Sequence, residues 1–485
     1  MSTASTQQRH YHLVTRHQRM LADTITPVNI YLKIRDRYNN PILLESSDYH
    51  SSDNSFSFIC CDPIASFSVK QDTVTQKFPD GSTEEIQVAQ KKEVISLLSQ
   101  FAAAFHAETT DHKFVTNGLF GYMGYDAVQY YEDVDITPDT EKDYGIPEIH
   151  YAVYRYVIAI DHFRNELHAF QHELSGDEPA QDKLSDLISL INNRNIPSYR
   201  FQRQGEESSN YTDDEFMEII SKGRDHCYRG DVFQIVLSRR FQNHFKGDEF
   251  NVYRALRSIN PSPYLFYFDY GSHKIFGSSP EAQIVIKGGE ASIFPIAGTF
   301  KRTGNDAADA ELAKKLLDDP KENSEHVMLV DLARNDLSRH GSNVAVETFK
   351  EVQYFSHVIH LVSKVTSSLS SETSPIQVVA DTFPAGTLSG APKHMAMQLI
   401  NQYESTKRGY YGGAIGFLGF GNDRESAQFN HAIMIRSFLS QHNTLYYQAG
   451  AGVVAKSEIE NELQEVNNKL AALRRALDVA ESIAN

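Results

Sequence analysis

The sequence lacks the features that support disulfide frameworks and membrane spans. Only 3 of its 485 residues are cysteine, Cys60 and Cys61 are adjacent, and no CxxC pair is present. A disulfide framework or a cysteine-based zinc site is therefore not expected. The N-terminal segment MSTASTQQRHYHLVTRHQRM has no apolar core of the signal-peptide kind, and no apolar run reaches the roughly 18 residues of a membrane span. We predict a cytoplasmic chain with no membrane association.

Positive charge is also scarce. Lys and Arg number 46 against 63 Asp and Glu, which gives a formal net charge of −17. Because phosphate backbones and anionic lipid surfaces are bound through basic patches, nucleic acid and membranes are not expected partners. An anionic small molecule is still compatible with an acidic chain, provided that a metal ion or a few Arg and Lys residues reverse the local field.

The residues that are present predict a folded chain of mixed helix and strand. Hydrophobic residues make up 41% and charged residues 22% of the sequence, a composition that supports a packed interior. The length of 485 residues exceeds what one hydrophobic core usually serves. Apolar and polar residues alternate from Val28 to Ile34 and from Tyr151 to Asp161, which predicts strands. In IVIKGGEASIFPIAG, Gly288 and Gly289 predict a hairpin turn between two further strands.

A polar stretch from Gln202 to Asp214 is the candidate linker, because it carries charge, Gly and Ser but little that can be buried. It divides the chain into an N-terminal portion, residues 1-201, and a C-terminal portion, residues 215-480. The first portion is rich in predicted strands, whereas helical patterns and strand pairs interleave in the second.

Two segments with helical patterns carry pairs of acids three residues apart, Glu322 with Glu325 and Glu462 with Glu465. Residues at this spacing share a helix face. Paired carboxylates from two helices offer the hard oxygen ligands that Mg²⁺ prefers and leave positions for water and an anionic substrate. Such pairs are also common on solvated helices, so both interpretations stay open on spacing alone.

The second of these helices has a predicted start and a predicted buried face. Ser457 and Glu460 form an S-x-x-E pattern that predicts a capping box. Glu462, Glu465 and Lys469 flank the apolar seam of this helix, so they should lie at the rim of a cleft. The seam consists of Ile459, Leu463, Val466, Leu470, Leu473 and Leu477.

Other candidate segments are ambiguous when each is taken alone. The run GTLSGAPK from Gly386 to Lys393 departs from a nucleotide-binding loop at Pro392. Its backbone N–H groups and hydroxyls suit a carboxylate, although an ordinary loop is an equal alternative. The Gly-rich YYGGAIG and AGAG segments admit a planar ligand or mark crowded strand crossings. His360 lacks an HExxH context and is interpreted as a catalytic or core histidine.

Taken together and in order, these segments resemble the chorismate-utilising enzymes, and among them the large subunits of anthranilate synthases. The C-terminal motifs are GDVFQIVLSRRF, PSPYLFYF, FGSSPE, PIAGT, ENSEHVMLVDLARND, HLVS, PAGTLSGAPK, YYGGAIG, IMIRS, AGAGVV and the ExxExxxK tail. TPVNIYLKIRD, LLESSD and GLFGYMGYDAV are similar to the family's regulatory portion. The resemblance implies a two-lobed α+β fold of antiparallel sheets packed face to face with helices outside.

The resemblance also implies roles for individual residues. Glu322, Glu325, Glu462 and Glu465 would form a Mg²⁺ shell that holds the ring carboxylate of chorismate. Glu281 would be the general acid that protonates the departing C4 hydroxyl, which requires a raised pKa. The implied substrate contacts are Gly298, Thr299, Thr387, Tyr411, Arg436, Gly452 and Lys469.

Three positions separate the activities found among relatives. Gln234 stands where isochorismate and salicylate synthases carry a Lys that activates water, which favours ammonia as the nucleophile. Ala297 replaces the nucleophilic Lys of aminodeoxychorismate synthases, and His360 matches the residue that assists pyruvate elimination. The implied reaction converts chorismate and ammonia to anthranilate and pyruvate through an aminodeoxyisochorismate. The alternatives are an aminodeoxychorismate synthase of folate biosynthesis and a non-catalytic tryptophan-binding regulator.

The resemblance implies two further partners. No Gly-x-Cys-x-Gly nucleophile turn is present, so a separate glutamine amidotransferase subunit should deliver ammonia within a hetero-oligomer. Tryptophan should inhibit through a site with two walls, although Leu265 stands where methionine is common and DYHSSD follows at residues 48-53. The residues of that site are Glu45, Ser46, Pro263, Tyr264 and Leu265.

Overall fold

The structure, a computed structural model, describes residues 9-46, 55-107, 112-136, 143-176, 183-339, 341-354, 358-370, 373-420 and 428-483. The helices of this part are α1 (Pro27–Ile34), α2 (Glu93–Ala103), α3 (Lys183–Asn192), α4 (Asp213–Arg229), α5 (Phe250–Ile259), α6 (Asp306–Asp318), α7 (Pro320–Ser338), α8 (Pro375–Thr382), α9 (Gly386–Ser389), α10 (Lys393–Tyr403) and α11 (Ile459–Ser482), with a 3-10 helix at Tyr125–Tyr130.

The strands are β1 (Tyr11–Leu21), β2 (Ile42–Ser46), β3 (Phe56–Lys70), β4 (Thr73–Lys77), β5 (Thr83–Gln87), β6 (Phe105–Ala107), β7 (Gly118–Met123), β8 (Ile149–Asp161), β9 (Glu166–Leu174), β10 (Phe201–Ser209), β11 (Gln234–Gly247), β12 (Tyr264–Asp269), β13 (Lys274–Ser279), β14 (Ala282–Lys287), β15 (Glu290–Ile293), β16 (Ile296–Lys301), β17 (Gly341–Tyr354), β18 (Val358–Leu369), β19 (Gly390–Ala391), β20 (Ala414–Gly419), β21 (Gln428–Ile433), β22 (Ser437–Gln441) and β23 (Thr444–Val454).

The α+β class is confirmed, and the strands pair across the two portions of the chain. β2 pairs antiparallel with β12, and β7 pairs antiparallel with β20. The first hydrophobic cluster likewise joins Tyr31 of α1 to Phe250 and Tyr253 of α5. Because hydrogen bonds and packing both cross between the portions, the N-terminal segment contributes to the same body as the C-terminal one. The division into residues 1-201 and 215-480 stays a prediction about function.

The linker interpretation of residues 202-214 is wrong, because most of this interval has regular structure. β10 pairs antiparallel with β11, and Phe201 faces Gly247 in that register. Thr212 then caps α4 in a capping box with Glu215. The interval is polar because most of the β10 side chains are at least partly exposed, while its backbone hydrogen bonds go to β11.

Of the two segments with alternating patterns, one is a strand and the other is a helix. Tyr151 to Asp161 lies in β8 as predicted, and the hairpin at Gly288 and Gly289 joins β14 to β15. Val28 to Ile34 instead belongs to α1. Thr26 caps that helix by accepting a hydrogen bond from the Asn29 N–H, and Pro27 occupies its first turn. These capping residues outweigh the short alternating pattern.

α11 buries the predicted seam, but its start differs from the prediction. Val466 and Leu470 are fully buried in the first hydrophobic cluster. The predicted capping box of Ser457 and Glu460 is not formed, and Glu458 is the N-cap without a side-chain hydrogen bond. The Ser457 hydroxyl accepts a hydrogen bond from the Val454 N–H at 3.0 Å, so it stabilises the turn after β23 instead.

All three cysteines are free and buried. Within the described ranges, no helix combines the length and the apolar character needed to cross a bilayer.

A buried ion pair joins the segments that carry the candidate site. The Arg408 side chain is 1% exposed and pairs with Glu404 at 2.6 Å. The same guanidinium donates to the carbonyl of Leu388 at 2.6 Å and to that of Val236 at 2.7 Å. It also lies over the ring of Tyr125, 4.6 Å from the centroid. Arg408 therefore connects α9, β11 and the 3-10 helix of the N-terminal portion.

Replacing this arginine should destabilise the whole fold. Arg408→Met leaves the buried Glu404 carboxylate without its counter-charge and the carbonyls of Leu388 and Val236 without their donor. This should cost about 3–5 kcal/mol of unfolding free energy. The midpoint of urea unfolding, followed by circular dichroism, measures the effect. Lys222→Met, which breaks an exposed pair with Glu218, is the control and should leave the midpoint unchanged. Equal midpoints for the two variants would contradict the role given to Arg408.

Candidate active site

Glu281 lies between β13 and β14, and its carboxyl group accepts a hydrogen bond from the Thr387 hydroxyl at 2.9 Å. Burial raises the pKa of Glu281 to about 7, against the lowering effects of the Thr387 hydrogen bond and of the Arg436 and Lys469 charges. The carboxyl group is therefore present in both protonation states near neutral pH, which suits proton transfer.

A bulge in β16 brings a backbone carbonyl to His360. Gly298 interrupts the register between β16 and β18 and has a φ of +71°. A Cβ at this position would lie 2.6 Å from Leu316 Cδ1 and 3.1 Å from Glu322 Oε2, so both the conformation and the space require glycine. The Gly298 carbonyl lies 2.8 Å from His360 Nδ1. Thr299 faces His360 in the backbone register, and its side chain lies outside the described part.

The hydrogen bond to the Gly298 carbonyl determines which tautomer the His360 ring adopts. A carbonyl only accepts hydrogen bonds, so Nδ1 carries the proton and Nε2 is the basic nitrogen. Burial lowers the pKa of His360 to about 4, and the charge of Arg436 acts in the same direction. The imidazole is therefore neutral at pH 7 and in the form that accepts a proton.

Arg436 couples the acid to the imidazole. It follows β21 with a φ of +48°, and its carbonyl accepts a hydrogen bond from the Ser278 N–H at 3.1 Å. Its charge lowers the pKa of both Glu281 and His360. The three side chains thus belong to one site, in which the guanidinium is suited to an anionic ligand.

Gly450 connects two further candidate residues. Its N–H donates a hydrogen bond to the hydroxyl of Tyr411, which is buried. Its carbonyl accepts a hydrogen bond from Lys469 Nζ at 2.8 Å. Lys469 also pairs with Glu465 at 2.7 Å on the same face of α11. Tyr411 of the YYGGAIG motif and Lys469 of α11 therefore both contact Gly450 of β23, in the AGAGVV motif.

Gln234 begins β11 between β19 and β23, opposite Ala391 and Val454. Its side chain is buried and covers Gly452 so closely that a Cβ there would lie 2.5 Å from Gln234 Nε2. The neutral amide is not a base at this position. A side chain at position 452 would displace the Gln234 amide.

The paired glutamates lie on helices as predicted. Glu322 and Glu325 belong to α7, and Glu462 and Glu465 belong to α11. Glu322 lies beside Gly298, and Glu462 is 6% exposed. Among the described residues, no three of the four carboxylates lie within 4.8 Å of one another. The helical placement is confirmed, and the role in metal binding stays a prediction.

The two predicted walls of the tryptophan site are neighbouring strands. Ser46 faces Tyr264 and Glu45 faces Leu265 in the pairing of β2 with β12, which begins directly after Pro263. The Glu45 carboxylate is buried and accepts two hydrogen bonds from Arg257, both 2.8 Å, and one from Tyr253 at 2.6 Å. Residues 48-53 lie outside the described residues.

Two buried ion pairs were not identified from the sequence. Lys393 donates to Asp336 at 2.8 Å and to the Thr382 carbonyl at 2.9 Å, which fixes the start of α10 against α7. Glu404 and Arg408 stand four residues apart, a spacing that a sequence shows, but such pairs are usually exposed. Only the fold reveals that both pairs are buried.

Comparisons with known proteins agree with this arrangement. A family model described as chorismate binding enzyme matches residues 40–475. The anthranilate synthase component 1 of Aquifex aeolicus is 35% identical over 494 residues, covering 97% of this chain and 96% of the relative. That of Bacillus pumilus is 36% identical over 489 residues, covering 95% of this chain and 91% of the relative.

One solved structure supports the same assignment, and a second shares the fold. Anthranilate synthase component I from Streptococcus pneumoniae superposes with a TM-score of 0.75 at 30% identity, covering 94% of this chain and 99% of that one. The menaquinone-specific isochorismate synthase from Escherichia coli shares the fold. It superposes with a TM-score of 0.73 at 17% identity, covering 97% of this chain and 95% of that one. The chain therefore belongs to the chorismate binding enzyme family and, within it, to the anthranilate synthase component 1 proteins.

Proposed function

We propose that this chain converts chorismate and ammonia to anthranilate and pyruvate, the first committed step of tryptophan biosynthesis. One observation carries the proposal: Glu281, whose pKa lies at about 7, and the neutral imidazole of His360 are both close enough to Arg436 for its charge to act on them. The reaction needs an acid for one step and a base for the next, and this pair supplies both near neutral pH.

In the first step, ammonia forms a bond to ring C2, the two ring double bonds shift, and the C4–O bond breaks. Glu281 donates its proton to the departing hydroxyl, which leaves as water. The proton that the added nitrogen releases restores the charge balance, and the product is an aminodeoxyisochorismate. Thr387 holds the Glu281 carboxyl in position through its 2.9 Å hydrogen bond.

In the second step, the ring proton at C2 passes to a base and the C3–O bond breaks, so that the ring becomes aromatic. The side chain leaves as the enolate of pyruvate, which takes up a proton at its methylene carbon to give pyruvate. We assign assistance in this step to His360. The hydrogen bond from Nδ1 to the Gly298 carbonyl fixes the ring and leaves Nε2 as its basic nitrogen. A neutral imidazole held in this way accepts a proton without first losing one.

The substrate is a dicarboxylate, and the site offers matching groups. Arg436 can bind one carboxylate with two hydrogen bonds. Lys469 and Tyr411 converge on Gly450 beside Gly452, and we assign these groups to the second anionic end. Gly298, Thr299 and Thr387 complete the contacts near the reacting ring. Ammonia is favoured over water as the nucleophile because Gln234 cannot deprotonate water.

We also propose Mg²⁺ as the cofactor, held by Glu322, Glu325, Glu462 and Glu465. Four carboxylates from two helices match the hard oxygen ligands that this ion prefers. Glu322 lies beside Gly298, the bulge that contacts His360, and Glu462 is buried, a location in which a carboxylate favours a nearby cation. When bound, the ion would neutralise the ring carboxylate of the substrate.

Two regulatory and assembly features complete the proposal. Ammonia is supplied by a separate glutamine amidotransferase subunit in a hetero-oligomer. Tryptophan binds where β2 meets β12, at Glu45, Ser46, Pro263, Tyr264 and Leu265. Support comes from the adjacency of the two strands and from the fixed position of the Glu45 carboxylate on Arg257.

The function is tested by identifying the product. The purified chain, given chorismate, ammonium and Mg²⁺, should form anthranilate and pyruvate in equal amounts, and EDTA or replacement of ammonium by glutamine should abolish this. His360→Met should lower anthranilate formation by about 10²-fold or more and let the amino intermediate accumulate. Fluorescence and mass spectrometry distinguish these products. A non-aromatic amino product from the unaltered chain would indicate the folate branch, and no turnover would indicate a regulator.

The acid role of Glu281 is tested by the pH dependence of kcat/KM. Because Glu281 must be protonated, kcat/KM for chorismate, measured at a fixed concentration of free NH₃, should fall as pH rises through about 7. Thr387→Val removes a hydrogen bond that stabilises the ionised carboxylate, so the fall should move to higher pH, whereas Thr387→Ser keeps the hydroxyl and the profile. Glu281→Gln should lower kcat by about 10²–10⁴-fold. A flat profile on both sides of neutrality would refute this role.

Tryptophan control is tested with a variant of β2. Saturating tryptophan should lower the rate and raise the thermal unfolding midpoint of the unaltered chain, since a ligand that binds the folded state stabilises it. Ser46→Leu places a larger side chain in the site and should remove both responses. Thr83→Leu, exposed in β5, should retain them. If neither rate nor midpoint of the unaltered chain responds, the site does not bind tryptophan.

A further inference from the structure

A cluster of three histidines lies in the N-terminal portion and includes none of the residues assigned to the reaction. His17 belongs to β1, His168 belongs to β9, and His112 lies in the segment before β7. Their ring nitrogens include three atoms that all lie within 4.8 Å of one another. Within the described ranges, no other set of three His, Cys, Asp or Glu side chains meets this distance.

The strand register explains how the first two rings meet. β1 and β9 are antiparallel, with His17 opposite Phe170 and Arg19 opposite His168. His17 and His168 are thus diagonal neighbours on one face of the sheet, a position from which ring side chains make contact. Their rings are parallel to within 2°, and His17 Nε2 and His168 Nδ1 share a hydrogen bond of 3.0 Å. One of these two nitrogens therefore carries a proton, which must leave that nitrogen before both can bind a metal ion.

The third ring closes the cluster from a different direction. His112 stands at 82° to both other rings, with centroid distances of 5.1 Å to His17 and 5.2 Å to His168. The aromatic ring of Phe170 stacks on His17 at 4.6 Å, and that of Phe114 packs on His112 at 5.0 Å. These contacts restrict the rings to the orientation in which their nitrogens converge.

Glu166 supplies the support that metal-bound histidines usually have. Its carboxylate lies 3.3 Å from His168 Nε2, the nitrogen that does not face His17, and it also contacts Arg19. A carboxylate in this position fixes the ring orientation and increases the basicity of the other nitrogen.

We propose that His17, His112 and His168 form a binding site for a first-row transition-metal ion such as Zn²⁺, with Glu166 orienting His168 and water filling the remaining position. Three imidazoles suit Zn²⁺, Cu²⁺ or Ni²⁺, and they do not suit Mg²⁺, which prefers oxygen ligands. Zinc–nitrogen bonds are about 2.0–2.1 Å long, so the three side chains, whose nitrogens lie within 4.8 Å of one another, would have to rotate to surround the ion. The ion would tie β1 to β9 and to the segment before β7.

The test uses the full chain, freed of bound metal and then saturated with Mg²⁺ so that the glutamate site is occupied. Titration with Zn²⁺, followed by calorimetry, should show one equivalent bound, and the thermal unfolding midpoint should rise. His17→Gln should weaken Zn²⁺ binding by at least about tenfold. His17 is exposed, so this substitution leaves the core intact, which circular dichroism checks.

His442→Asn is the matched control, because it removes another exposed imidazole at a position with a φ of +50° that Asn tolerates. It should leave Zn²⁺ binding unchanged. Absence of stoichiometric Zn²⁺ binding to the unaltered chain, or equal affinity in His17→Gln, would overturn the proposal. Neither result depends on whether the chain turns over chorismate, since metal content and stability are measured.

Discussion

The buried ion pair of Arg408 and Glu404 is the constraint on which the arrangement of the site depends. Away from water, a guanidinium is tolerated only if its donors are satisfied, and Arg408 meets this condition with Glu404 and the carbonyls of Leu388 and Val236. Glu404 in turn accepts two hydrogen bonds from Ser238, both 2.8 Å. α9, which carries Thr387, and β11, which begins with Gln234, are thereby held in one relative position.

Within that frame, burial acts in opposite directions on the two titratable groups that matter most. Loss of hydration disfavours the charged form of each, so the pKa of Glu281 rises to about 7 and that of His360 falls to about 4. Near neutral pH the imidazole is uncharged and much of the carboxyl group is protonated. One environment therefore produces both a proton donor and a proton acceptor, and the positive charge of Arg436 acts on both.

Sequence patterns predicted the parts of the structure that depend on local periodicity. The seam of α11, the hairpin at Gly288 and Gly289 and the placement of the acid pairs on helices are of this kind. Features that depend on distant segments could not be read in the same way. The Gly298 bulge becomes visible only through its partner strand, and the burial of Arg408 only through the segments around it. The polar composition of β10 concealed a strand because its backbone partners are remote in sequence.

The protonation state of Glu281 is the central claim, and infrared difference spectroscopy measures it most directly. The spectrum of the unaltered chain minus that of Glu281→Gln should contain the C=O band of a protonated carboxylic acid on the acid side of neutrality. That band should give way to carboxylate bands with a midpoint at about pH 7. A difference spectrum with carboxylate bands alone throughout this range would show that Glu281 is ionised, and it could not then serve as the proton donor.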